Sequence, residues 1–163
     1  MIEPKLFYRE LDSVLSQIGK AESGDLYFEV ILEGLEQKFG GALGIARSHL
    51  FELRGDAYVR LYSSNSGRGF AVKDRVPAES DAVRELLKHG SFIYDDPALF
   101  HEFGEKPKNH YAILCAISVS SPDGQWIVAF ELKDGWIREE ITLFLNAVRT
   151  ALNHRLYTDL IDT

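Results

Sequence analysis

The side chains best suited to chemistry here are five histidines, one cysteine and an Asp-Asp pair. The histidines are His49, His89, His101, His110 and His154. Their spacing makes neither a His-Glu-x-x-His pair nor a Cys/His zinc pattern, so no metal site is expected. His101 and His110 flank one irregular stretch and are the pair placed to face a common pocket, where a haem ligand is conceivable. Histidines scattered without a spacing signal are more often loop residues. Asp95-Asp96-Pro97 holds the carboxylates of a metal or acid–base site, but the same triplet is ordinary turn chemistry with capping carboxylates. Cys115 lies between Leu114 and Ala116-Ile117, which reads as a buried, inert thiol rather than a redox centre. Ser64 to Gly69 has the glycines of a phosphate-cradling loop without its Gly-Lys-Ser/Thr ending, and no helix clearly starts there. No nucleophile is joined to a base and an orienting group, so the sequence reads as a non-enzyme without catalytic residues. It names no cofactor.

The totals narrow the class further. A length of 163 residues is enough for one domain with a core, expected here over 1–163. The hydrophobic fraction of 45% and charged fraction of 26% are those of a soluble globular chain. With a net charge of -7 and no basic run, direct nucleic-acid binding is not expected, because phosphate contact needs clustered Lys and Arg. One cysteine allows no internal disulfide, which fits a reducing compartment. The Met-Ile-Glu-Pro-Lys start lacks the apolar core of a signal peptide. No apolar run approaches the roughly 18 residues of a membrane span. The expectation is a cytoplasmic protein, or a cytoplasmic piece of a longer one, with no membrane contact.

The elements that must position these residues are clearest between Tyr111 and Leu156. Tyr111-Ala-Ile-Leu-Cys-Ala-Ile-Ser-Val119 is an apolar strand, Ser121-Pro-Asp-Gly124 a turn, and Gln125-Trp-Ile-Val-Ala-Phe-Glu-Leu132 a returning strand. Both are apolar on both sides, which belongs in the middle of a sheet covered on both faces. Asp134 is the expected N-cap of a helix from about Trp136, with Ile137, Ile141, Phe144, Leu145, Val148, Leu152 and Leu156 as its stripe. Upstream, Pro4 to Lys20 reads as a helix. A second helix starts at Asp25, carries Phe28, Ile31, Leu32, Leu35 and Phe39, and is expected to stop at Gly40-Gly41. Ala42–Leu53 and Ala57–Ser63 form a hairpin about Arg54-Gly-Asp56. A helix over Glu79–His89, a short strand at Ser91–Tyr94 and one helical turn near Leu99–Phe103 complete the pattern. Two helical termini enclosing a mostly antiparallel sheet of five to six strands make the class α+β.

This order of elements resembles a GAF domain. The likeness rests on the helix at 26–39, the hairpin at 42–63, the closing hairpin at 111–132 and the helix from Trp136 to Leu156. PAS domains share much of this architecture, and the two N-terminal helices with the long C-terminal helix favour GAF. The resemblance implies N- and C-terminal helices on one sheet face, with loops, short helices and a ligand pocket on the other. It places Arg68, Phe70, Tyr94, Phe100, His101, Phe103 and Tyr111 in or beside the covering loops. There they either line a small-molecule site or fill the space themselves. The Asn-Lys-Phe-Asp-Glu signature of cyclic-nucleotide members is missing. Cys115 precedes Ala116 rather than the His that follows a bilin-attaching Cys. A methionine-sulfoxide-reducing enzyme of this type needs accessible cysteines, against which Cys115 argues.

What the resemblance implies is a sensory domain of a bacterial-type signalling protein, relaying a ligand or partner through its terminal helices. Its alternative is a ligand-free dimerisation module. Leu11, Val14 and Ile18 at one end, and Val148, Leu152 and Leu156 at the other, are expected at a homodimer contact between helices. The helix at 136–160 is expected to lead toward an output domain.

Overall fold

The computed structural model describes residues 5, 6, 9, 12, 13, 26–64, 71–95, 97–105, 113–121, 124–133 and 135–161. Residues 5, 6, 9, 12 and 13 have helical backbone, within the helix expected over 4–20. The chain continues as α1 (Leu26–Leu43), β1 (Ile45–Arg54), β2 (Ala57–Ser63), β3 (Ala71–Val72) and β4 (Arg75–Pro77). Then come α2 (Asp81–His89), β5 (Ser91–Tyr94), α3 (Pro97–Phe100) and β6 (Gly104–Glu105). It closes with β7 (Ile113–Ser121), β8 (Gly124–Leu132) and α4 (Arg138–Ile161). Six strands form one antiparallel sheet in the order β4-β2-β1-β8-β7-β5, and β3 pairs with β6 apart from it. The expected α+β class with a central antiparallel sheet is what the chain adopts.

The sheet is covered on both sides because its middle strands are apolar on both sides. Val128, Phe130 and Leu132 of β8 point with Leu50, Cys115 and Ile117 toward α1 and α4. There Ile31, Leu32, Leu35 and Phe39 of α1 meet Ile141, Phe144 and Leu145 of α4. Phe144 is the junction, its ring 5.6 Å from Phe39 and 5.3 Å from Phe130, both edge-on. Ile127 and Ala129 point the other way, into a second cluster with Phe51, Tyr58, Leu86, Tyr94, Phe100 and Phe103. Val148 and Leu152 are fully buried in the first cluster. Within their own chain both pack against the sheet beneath α4. Leu11, Val14 and Ile18 lie outside the described residues, as does the side chain of Leu156.

Three boundaries differ from expectation for local reasons. Helix α1 runs through Gly40-Gly41 and stops at Gly44, whose φ of +79° is the left-handed conformation that ends helices. Gly40 serves a close approach instead, since a Cβ there would lie 3.2 Å from the Ile45 carbonyl oxygen. The last helix begins at Arg138 rather than Trp136, its first bond running from the Ile141 N–H to the Ile137 carbonyl. Asp134, the expected cap, is outside the described residues. Strand β1 carries register shifts between Ile45 and Arg47 and between Leu50 and Phe51. The first moves Arg47, His49 and Phe51 onto the face away from α1 and α4, while Ile45 stays on the face those two helices cover.

Candidate ligand-binding site

The β1 shift assembles a buried polar cluster on the face opposite α1 and α4. Arg47 stands in register with Glu131 of β8, and His49 with Ser63 of β2. Partners in antiparallel register share a face. His49 and Glu131 are both fully buried, and the imidazole Nε2 lies 2.5 Å from Glu131 Oε2. Its Nδ1 lies 2.7 Å from Ser63 Oγ. Arg60 donates to the same Ser63 oxygen at 3.0 Å, and an Arg47 guanidinium nitrogen is 3.5 Å from Glu131 Oε2.

These contacts fix a proton arrangement. The Glu131 carboxylate only accepts and burial favours the neutral imidazole, so the ring proton sits on Nε2 and Ser63 donates its hydroxyl hydrogen to His49 Nδ1 while accepting from Arg60. The imidazole thus donates from Nε2 to Glu131. Burial holds its pKa below the ordinary 6.5, outweighing the upward pull of Glu131. Glu131 Oε1, by contrast, is buried without a hydrogen-bonding partner among the described residues. A buried carboxylate oxygen in that state costs on the order of 1–3 kcal/mol.

Beside the cluster lies an aromatic floor. The Tyr94 and Phe103 rings are 5.1 Å apart, and Phe51 meets Phe103 edge-on at 5.9 Å. Tyr94 is anchored by its hydroxyl, which donates to the Ala82 carbonyl at 2.8 Å, and burial raises its pKa. Glu102 Oε2 accepts from the Ala82 N–H at 2.5 Å, tying the turn after α3 to the start of α2.

The other sequence candidates separate. Tyr94, Phe100 and Phe103 come together as buried neighbours on this face, whereas His101 is exposed with its ring edge-on to Phe100 at 6.5 Å. Arg68, Phe70 and Tyr111 fall outside the described residues. Asp95 holds Arg138 at 2.5 Å, joining the end of β5 to the start of α4. Cys115 is buried on the helix face and burial pushes its thiol pKa up. No three His, Cys, Asp or Glu side chains among the described residues stand together as metal ligands. Sequence reasoning missed Glu131, although a lone charge in a strand apolar on both sides is itself a signal that something must pair with it.

No protein-family model and no curated protein matches the chain. Solved structures do. The free methionine-R-sulfoxide reductase of Neisseria meningitidis, in complex with its substrate, superposes with a TM-score of 0.69 at 14% identity, over 96% of this chain and 92% of that one. The GAF domain of an Acinetobacter phosphoenolpyruvate-protein phosphotransferase gives 0.61 at 8% identity, over 94% and 93%. The NLH2 GAF domain of A. aeolicus, in an inactive state, gives 0.57 at 12% identity, over 92% and 95%. The fold is that of a GAF domain. The GAF likeness read from the sequence thus holds at the level of fold. The exclusion of an enzyme does not hold: one of these matches is a reductase, so the same fold carries catalysis as well as regulation. Among the described residues no helix is long and apolar enough to cross a membrane.

Proposed function

We propose that this chain is a sensory or regulatory domain that binds a small ligand on the sheet face away from α1 and α4. In this reading it passes the change to its terminal helices. The observation that carries the reading is Glu131, a fully buried carboxylate with one oxygen unpartnered among the described residues. A face used only for packing gains nothing from such a group, and an apolar residue of similar size is at least as stable there. A ligand N–H or O–H donor satisfies the oxygen. Tyr94, Phe100 and Phe103 supply the apolar floor, and Arg68, Phe70, His101 and Tyr111 belong to the same proposed site. The GAF domains of a phosphotransferase and of a protein caught in an inactive state support a regulatory role.

The alternative, a ligand-free dimerisation module, draws on the same aromatic residues, which occupy much of the face themselves. Native mass spectrometry of the protein as purified separates the two. The expected result is a non-covalent adduct of a few hundred daltons that Glu131→Gln loses. A bare dimer mass, with no melting shift across a library of amine- and amide-bearing metabolites, would favour the module.

A further inference from the structure

Ser63 ends β2 and Ser64 follows it, its N–H still bonded to the Ser48 carbonyl of β1, and consecutive residues in extended chain point to opposite faces. Ser63 Oγ touches the candidate site, contacting His49 at 2.7 Å and Arg60 at 3.0 Å. Ser64 Oγ points to the helix layer and donates to Glu36 Oε1 of α1 at 2.6 Å. The same carboxylate oxygen accepts from Ser48 Oγ at 2.8 Å, and Ser64 Oγ accepts from the Ser48 N–H at 3.0 Å. The Ser64 carbonyl accepts from Arg47 Nε at 3.2 Å, and that guanidinium reaches Glu131. Two neighbouring serines thus carry polar contact from the His49–Glu131 cluster on one face of the sheet to Glu36 and Ser48 on the other.

We infer that Ser63-Ser64 is the coupling element of this domain, linking occupancy at Glu131 and His49 to the position of α1 through Glu36. The inference rests on the ligand site proposed above and adds the route by which that site is read. A relay needs two arrangements of one element, each favoured by a different state of the site. Glu36 has room for a second. It lines a groove of about 400 Å³ with Glu33, Gln37, Gly41 and Lys133. Lys133 follows β8, the strand that holds Glu131, and its N–H bonds the Gly44 carbonyl just past the end of α1. When the end of β2 moves with a donor seated on Glu131, Ser64 releases Glu36. The carboxylate then turns into the groove toward the Lys133 ammonium, freeing the C-terminal half of α1 to shift.

The coupling is readable without the ligand. Hydrogen exchange by mass spectrometry is followed for α1 amides in wild type, Glu131→Gln, Ser64→Ala and the double variant. Changing Glu131 on the far face is expected to alter α1 exchange by about fivefold, the scale of one net hydrogen bond. In the Ser64→Ala background the same change at Glu131 is expected to leave α1 exchange unmoved. Ser63→Ala serves as the far-face perturbation if Glu131→Gln does not fold. An α1 insensitive to both far-face variants overturns the inference, and so does a response that survives Ser64→Ala. Neither outcome bears on the mass-spectrometric adduct, so failure of the relay and failure of the ligand site are distinguished.

Discussion

At the residue scale, the chemistry of this protein gathers on groups that periodicity alone does not distinguish. His49 is one of five histidines, and no spacing motif picks it out. It becomes special because β1 brings it beside Glu131, a residue 82 positions away. That pairing is non-local, so the sequence shows two polar residues in apolar strands without showing that they meet. A prediction follows from protonation. The buried His49 favours its neutral form, so the unfolded chain binds more protons as pH falls below 6.5. Its contribution to stability is therefore present above that pH and lost on acidification. Urea unfolding between about pH 7.5 and about pH 5 should show wild-type stability falling more steeply than that of His49→Gln. Parallel slopes would place the imidazole outside the acid sensitivity of the fold.

At the element scale, much was legible. The closing hairpin, its burial on both faces, helix α2 and the stop at Gly90 all follow from apolar pattern and turn chemistry. Strand β1 resisted for a physical reason. Its apolar residues Ile45, Leu50, Phe51 and Leu53 do not keep one parity, because both faces of the strand are covered and the shift between Ile45 and Arg47 puts Ile45 on the same face as Leu50. The pairs β3–β6 and β2–β4 were missed because strands of two or three residues carry no period to read. Gly90 gives a sharper test of local reasoning. Its φ is +83°, its N–H bonds the Leu86 carbonyl at 2.7 Å, and a Cβ there would lie 2.7 Å from the Arg149 guanidinium carbon. That guanidinium also donates from Nε to the Ser118 carbonyl at 2.9 Å, fastening α4 to β7. Gly90→Ala should therefore lower stability by about 1–2 kcal/mol from backbone strain alone, measured as a shift in the denaturant midpoint. An unchanged midpoint would mean that α2 and Arg149 adjust freely around this position.

At the scale of the whole molecule, α4 belongs first to its own chain. Leu152 is fully buried beneath it, so Leu152→Ala should reduce stability by roughly 2–5 kcal/mol while leaving the sedimentation mass unchanged. A variant that kept its stability and lost mass would return Leu152 to an interface between copies. The sheet order has a consequence of another kind. Strand β1 finds its second neighbour only in β8, with Ser48 opposite Phe130. A chain emerging from the ribosome therefore carries an apolar strand with one unpaired edge for several seconds before its partner exists. Such an edge is a template for pairing with other chains. The nascent protein is most exposed to aggregation between the synthesis of Arg54 and that of Leu132, and the hairpin that organises the finished sheet is also what ends that hazard.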